Sequence, residues 1–477
     1  MQKIFSNPSE LEKLAKEKYG IPPFLMMENA AKSLADFLLD FKPESLLILC
    51  GKGNNGGDGY AVARLLQNKC HLTLVCLEEP SAAEAKAQYE MCQKLGIPIS
   101  NECKSFSQNI ILDCIYGTGF HGEISSEVKE LLDKANKAKG IKIACDISSG
   151  LYFNADYTVT MGTQKLVLYS DKAKDVSGKI IVANLGIAKE KLEAPVAVVE
   201  SVETTYLVES SDINLPFRKK RAAHKGTYGH TTVICGEKSG AAILAATAAM
   251  NFGSGLTSLL PSSENNDLSQ FKISPSLMLS EAIPKKTSCI LAGSGFTKYS
   301  EETAKKIEDW FSTQKNPALV FDAGFLTSPE FPELLKKLNR IENARIILTP
   351  HLAEFSSLVK NLLGETVPVS LLAEDPKIKI ELGKKITSQF PNTTVIIKSA
   401  ITFIASAGET YIITDGPQNL AKGGSGDILA GMAASLLAQG YSAKDAAITA
   451  AEHHALTARS FGSEAYNLTP EKLLAAI

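Results

Sequence analysis

SLLILCGKGNNGGDGYAVARLL (45–66) sets an apolar run, a glycine-rich turn and a helix-spaced segment end to end. An apolar run of this length reads as a buried strand, and the apolar spacing after the turn reads as a helix over Tyr60–Gln67. The turn between them, Gly51–Gly59, suits a chain that bends tightly, bares its amides and holds one carboxylate, Asp58, beside a ligand. A second glycine-rich turn, Lys422-Gly-Gly-Ser-Gly-Asp427, stands before another helix-spaced run. The two lie far apart in the chain, which predicts two ligand sites.

Outward from the first turn, strand-like and helix-like stretches alternate. HLTLVCL (71–77), NIILDCI (109–115) and IKIACDI (141–147) read as strands, with helices over Ser81–Leu95 and Glu127–Ala138. Shorter runs at Tyr157–Met161, Lys165–Tyr169 and Lys179–Val182 read as closing strands. Apolar strands separated by amphipathic helices imply a parallel sheet covered on both faces. Ser210–Lys225, with Pro216 and the basic run Arg218–Arg221, marks a boundary and is read as a solvated linker. Beyond it the alternation restarts, with strands at His230–Cys235, Cys289–Leu291, Ala318–Phe321, Arg345–Leu348 and Thr394–Lys398. A hairpin is expected around Ala407-Gly408, and helices over Gly240–Phe252, Gly426–Ala438 and Ala443–Ser460. The expected fold class is α/β, two tandem three-layer domains at 1–211 and 212–477.

The chain's 477 residues allow two such cores. A formal net charge of -2, evenly spread, argues against nucleic acid or an anionic membrane as the main partner. The 9 cysteines are scattered singly with no Cys-x-x-Cys pair, so they read as buried thiols of a reducing cytoplasm. No apolar signal core or membrane-length run is present in the sequence.

In open α/β sheets, ligands gather beyond the carboxyl ends of the strands. Gly51–Gly59, Tyr116–Glu123 and Asp146–Gly150 leave such ends, and all are rich in glycine and oxygen-bearing side chains. Neither glycine turn is a Walker loop or a clean GxGxxG, so a standard nucleotide fingerprint fails. Asp58, Asp113 and Asp146 are candidates for a general base, and with Asn55 and Ser149 for the ligands of a hard cation. Capping of helices and turns is the competing role for any one of them.

PPFLMMENAA (22–31), GKGNNGGDGYAVARLL (51–66), LDCIYGTGFHGE (112–123) and CDISSGL (145–151) together resemble the N-terminal domain of NAD(P)H-hydrate epimerases. The resemblance implies a Rossmann-like domain that interconverts the R and S forms of hydrated NADH or NADPH. It places substrate binding at Asn54, Asn55, Gly56, Gly57 and Asp58, at Gly117, Thr118, Gly119, Phe120, His121, Gly122 and Glu123, and at Asp146. It implies potassium at Asn55, Asp113 and Ser149, and Asp146 is the expected acid/base. Ser148 departs from the family's usual proline.

The turn ending at Asp427 opens a helix whose amides and dipole suit a phosphoryl group in transit, with Asp427 as base. HKGTYGHTTVICG (224–236), GAAILAATAAMNFGSGL (240–256), LAGSGF (291–296), TPHLAEF (349–355) and AKGGSGDILAGMAASLLAQG (421–440) resemble the ADP/ATP-dependent NAD(P)H-hydrate dehydratases, a ribokinase-like branch. The resemblance implies loss of water from the S-hydrate. Phosphorylation of its hydroxyl comes first, with ADP giving AMP and phosphate, and magnesium neutralises charge. It assigns Ala241, Gly295, His351 and Asp427 to the hydrate, and Lys398, Ser399, Ala400, Ile401, Thr402 and Gly426 to the nucleotide. Departures from the family pattern fall at Ala353, Ser399 and Gly324.

The expectation is thus a bifunctional repair enzyme acting on NADHX and NADPHX with ADP, cytoplasmic and homo-oligomeric. The competing reading is a small-molecule kinase fused to a non-catalytic binding module.

Overall fold

The structure, a computed structural model of the chain, describes residues 1–193, 204–263, 268 and 270–477. The chain divides into two compact units, one drawn from the residues between Lys3 and Thr204, the other from Thr204–Ile477 with Met1–Gln2.

In the first unit the sheet runs Ile99–Ser100, His71–Cys76, Ser45–Cys50, Ile110–Cys114, Ile141–Cys145, Tyr157–Met161, Lys179–Ala183. Every pairing in it is parallel. Leu46, Ile48 and Cys50 face one core with the helices Pro23–Asp40 and Asn54–Leu65, while Leu47 and Leu49 face another with the helix Ser126–Asn136. Both faces are covered, which is why the strand reads as an unbroken apolar run rather than an alternating one. Two expectations need correction. The helix begins at Asn54 rather than Tyr60, because glycines in its first turns bring it close to the strands beneath. Lys165–Tyr169 is a strand only at its start, with Gln164–Lys165 followed by a short helical turn at Leu166–Tyr169.

In the second unit, parallel strands run Met278–Leu279, Leu256–Pro261, His230–Cys235, Cys289–Ala292, Ala318–Phe321, Arg345–Leu348, Thr393–Ile397. The expected hairpin follows as antiparallel Thr402–Ser406 and Glu409–Ile413, turning through Ala407 (φ 48°) and Gly408 (φ 81°). Thr205–Leu207 then pairs parallel to Glu409–Ile413, which brings Thr204–Ser211 into this unit, ahead of the boundary expected at 211/212. Sequence reading missed this strand, Leu256–Pro261 and Met278–Leu279.

The helices Ser239–Asn251 and Ser425–Ala438 pack across one face of this sheet. Alanine and glycine let them approach closely: a Cβ at Gly431 would stand 2.1 Å from the Ala245 carbonyl oxygen. Gly431→Ala therefore forces two backbones apart and costs about 1–3 kcal/mol. Urea denaturation of the full chain reads this as a lower midpoint; an unchanged midpoint would show that the helices separate freely.

Candidate active sites

The first unit reverses its winding at Ser45–Cys50, whose neighbours are His71–Cys76 on one side and Ile110–Cys114 on the other. That switch point is where an open parallel sheet leaves a crevice. Gly51 and the loop after Ile115 meet there so tightly that a Cβ on Gly51 would lie 2.1 Å from the Ile115 carbonyl oxygen. Gly59 presses on Cys50 and Cys114, at 2.7 and 2.9 Å for an added Cβ. These glycines serve packing rather than a phosphate loop. What the packing presents is Asn55, buried, with both amide atoms lacking a hydrogen-bond partner.

Asp146 follows the strand Ile141–Cys145 in the left-handed region (φ 67°), which aspartate tolerates better than most residues. Its Oδ2 accepts from the Thr118 amide at 3.2 Å, and its Oδ1 from the Met161 amide at 3.3 Å. Lys165 completes the set, with its ammonium on Asp146 Oδ1 and both side chains buried. Burial alone would raise the Asp146 carboxyl, but the Lys165 charge and the hydrogen bonds outweigh it and hold the group below the usual carboxylate range. Asp58 is pushed well above that range by burial and then by the Asp146 charge, with Lys165 opposing. Glu12, on the helix Pro8–Tyr19, adds a further carboxylate to the field of Lys165.

Asp113 is fully buried and accepts from the Ser149 amide at 2.9 Å and the Ser149 hydroxyl at 2.7 Å. Burial pushes it up to about 6, against those hydrogen bonds. Gly117 touches both clusters, since a Cβ there would lie 3.1 Å from Asp146 Oδ2 and 3.4 Å from Asn55 Cβ. Asn55, Asp58, Asp113, Gly117, Thr118, Asp146 and Ser149 thus share one region. Gly56 and Gly57 are buried in the helix beside it. Asn54, Gly119, His121, Gly122 and Glu123 lie exposed at its rim, and Phe120 stacks on Tyr116 at 4.0 Å. Ser148 does not loosen its loop as the missing proline suggests, because its buried hydroxyl donates to the Phe153 carbonyl at 2.6 Å.

In the second unit, Gly295, Asp322, His351 and Lys398 leave the carboxyl ends of neighbouring strands. Asp427 enters from the first turn of Ser425–Ala438, whose N-cap Gly424 has φ 94°. Burial first, and then the Asp322 charge, push Asp427 up to about 6, with the Ser294 hydroxyl and Lys398 opposing and Glu354 adding to the rise. Lys398 Nζ lies 3.2 Å from Asp322 Oδ1, which also accepts from Thr349 at 2.8 Å. Gly426 lies against this lysine, 3.2 Å from Nζ for an added Cβ. His351 caps the helix Leu352–Leu363, and the Glu354 carboxylate accepts in return from the His351 amide at 2.9 Å. Ala353 fits this regular first turn. A Cβ at Gly324 would meet the Phe296 carbonyl oxygen at 2.6 Å, so glycine there keeps the Gly295 loop in place. Ser399 Oγ donates to the Ile401 carbonyl at 2.6 Å and receives the buried Lys379 ammonium at 3.4 Å. Ala400 and Thr402 continue from that bend into the next strand, and Ala241 stands in the first turn of Ser239–Asn251.

Sequence reading missed Lys165 and Asp322. A lysine inside an apolar stretch was the signal for the first, and an aspartate closing a strand for the second. The motif HKGTYG lies at the amino end of His230–Cys235, away from Asp427.

The family model for NAD(P)H-hydrate dehydratases matches residues 231–477. The model for the YjeF-related protein N-terminus matches residues 24–167. The bifunctional NAD(P)H-hydrate repair enzyme Nnr of Helicobacter pylori is 34% identical over 498 residues, covering 100% of this chain and 99% of that protein. The enzymes of the same name from Moorella thermoacetica and Escherichia coli are 29% and 28% identical, covering 90% and 94% of this chain and 87% of each relative. With the topologies above, the first unit is Rossmann-like and the second ribokinase-like.

Removing the ammonium beside Asp146 leaves a buried, unpaired charge, so Lys165→Met costs about 3–5 kcal/mol at pH 7. The wild-type carboxyl is depressed, so its contribution persists above the unfolded value and fades only as pH falls through the folded one. In the variant the carboxyl is raised, and it takes up a proton on acidification. The loss measured by chemical denaturation is therefore smaller at pH 4 than at pH 7; equal losses at both would contradict the pairing.

Proposed function

Because this chain belongs to the bifunctional NAD(P)H-hydrate repair enzymes, we propose that Asp146 with Lys165 epimerises the hydrate and that Asp427 drives its dehydration. The chain restores hydrated NADH and NADPH in two steps, one in each unit. The observation that carries the assignment of residues is a carboxylate set among charges at the carboxyl edge of each sheet, Asp146 on Lys165 and the half-buried Asp427 in the field of the Asp322–Lys398 pair.

In the first unit the pair supplies a proton acceptor and a proton donor in contact. The hydrate's hydroxyl sits on a ring carbon bonded to nitrogen. Asp146 takes the hydroxyl proton while Lys165 protonates the nitrogen, the carbon–nitrogen bond breaks and an aldehyde forms. Closure on the opposite face reverses both transfers and inverts the carbon, with no net change in protons. Potassium fits the oxygens of Asn55, Asp113 and Ser149, since Asn55 offers a buried carbonyl with no partner and Asp113 a buried carboxylate. When bound, the ion supplies positive charge for the substrate's phosphates.

In the second unit Asp427 takes the proton of the S-hydrate's hydroxyl as that oxygen bonds to the terminal phosphorus of ADP and the bond to AMP breaks. Phosphate then leaves the ring with its bonding electrons, and loss of a proton from the neighbouring carbon restores NAD(P)H. Lys398–Thr402 and Gly426 hold the nucleotide, with the Lys398 ammonium facing its phosphates. Ala241, Gly295 and His351 line the hydrate side. Among the described residues no three acidic, histidine or cysteine side chains converge on a metal position. Magnesium therefore fits this unit as a companion of the nucleotide's phosphates rather than as an ion caged by protein.

Two variants separate the steps. With a mixture of R- and S-hydrate, ADP and magnesium, wild-type protein recovers the reduced-nicotinamide absorbance of both epimers. Asp146→Asn loses at least about a hundredfold in R-to-S conversion and keeps its turnover of S-hydrate. Asp427→Asn loses at least about a hundredfold in turnover of S-hydrate and still interconverts the epimers. An Asp146→Asn enzyme that consumes R-hydrate at the wild-type rate would remove the first assignment.

A further inference from the structure

The chemistry at Asp146 leaves a second charged pair in the first unit unused. Lys52, in the first glycine-rich loop, and Glu78, just past the neighbouring strand, form an ion pair at 2.8 Å. Backbone fixes both positions. Cys50 and Cys76 are in register, the Leu77 amide donates to the Cys50 carbonyl, and the Ser81 amide donates to the Lys52 carbonyl at 2.8 Å. A third strand end brings Tyr116, whose phenol lies in the field of both charges. Its ring stacks on Phe120, 4.0 Å between centroids and 16° between planes.

These groups lie along one line of strand ends. Asp146 follows Ile141–Cys145, Tyr116 follows Ile110–Cys114, Lys52 follows Ser45–Cys50 and Glu78 follows His71–Cys76, four neighbouring strands in that order. At the usual strand spacing the ion pair stands about 10–15 Å along the sheet edge from Asp146. A dinucleotide with its nicotinamide end at Asp146, laid across the Gly117–Thr118 loop, reaches Lys52 and Glu78 with its adenosine end. A carboxylate at the end of the second strand of such a sheet suits a ribose 2'-hydroxyl, and a cation there suits a 2'-phosphate. This chain has both, bound to each other.

We propose that Lys52 and Glu78 are the specificity-determining pair of the first site, a reading that rests on its epimerase assignment. Glu78 accepts a hydrogen bond from the free 2'-hydroxyl of the NADH hydrate. The 2'-phosphate of the NADPH hydrate repels Glu78 and draws Lys52 onto itself. The side chains are 57% and 40% exposed, so the pair gives up little when it opens. One site thereby admits both hydrates, and the balance between the two residues sets the preference.

The test is kcat/KM for R-to-S conversion of each hydrate by wild type, Lys52→Met and Glu78→Gln, all full-length. Lys52→Met lowers the ratio of NADPH hydrate to NADH hydrate roughly fivefold, and Glu78→Gln raises it roughly fivefold. A purely structural role would move both substrates together. Active variants whose ratios stay at the wild-type value, or shift in the same direction, overturn the proposal and leave the epimerase assignment standing. Wild-type protein that interconverts neither hydrate overturns both.

Discussion

A carboxylate withdrawn from water keeps its charge only if a neighbour stabilises it. In each half of this chain a lysine decides the outcome. Lys165 is committed to Asp146, and the carboxyl stays ionised despite burial. Lys398 is paired with Asp322 instead, and the half-buried carboxyl of Asp427 is pushed up to about 6 by burial and then by the Asp322 charge. One lysine position leaves a carboxylate that is ionised at rest, the other a carboxyl pushed up to about 6. The first suits reversible proton exchange with a substrate that must be opened and closed. The second suits a base that takes a proton once, as a phosphoryl group arrives.

The sheets make these placements possible. Parallel strands end together at one edge, so residues remote in sequence, such as Asp113, Asp146 and the glycine-rich helix at Asn54, come to one place. Close packing then excludes water from it. Where a side chain would intrude, the backbone is bare: a Cβ at Gly117 would crowd Asp146, and one at Gly295 would lie 2.3 Å from the Lys238 carbonyl oxygen. The two units reach the same solution from different strand orders, one wound both ways from Ser45–Cys50, the other extended by an antiparallel hairpin.

Much of this was legible in the residues. Ser45–Cys50 and His230–Cys235 have the bounds their apolar runs imply, as does the helix Ala443–Ser460. Asp146 and Asp427 announce themselves by the loops around them. What was illegible depends on tertiary contact. The glycines of NNGGDG read as a turn because glycine is rare inside helices, yet here they let Asn54–Leu65 rest on the strands. Lys165 read as part of an apolar strand, since nothing local says that its ammonium turns inward to Asp146. Asp322 went unmarked, although it holds Lys398. Thr205–Leu207 is too short to recognise before its partner Glu409–Ile413 is seen.

The pH dependence of kcat/KM for dehydration of the S-hydrate tests the central claim most directly. In wild type the rate should climb with pH and level off through an inflection near 6, the value at which burial and Asp322 leave the Asp427 carboxyl. In Asp322→Asn, with the like charge gone and Lys398 released, that inflection should move to lower pH. A wild-type inflection in the ordinary aspartate range, about 4, or one indifferent to Asp322, would contradict the account.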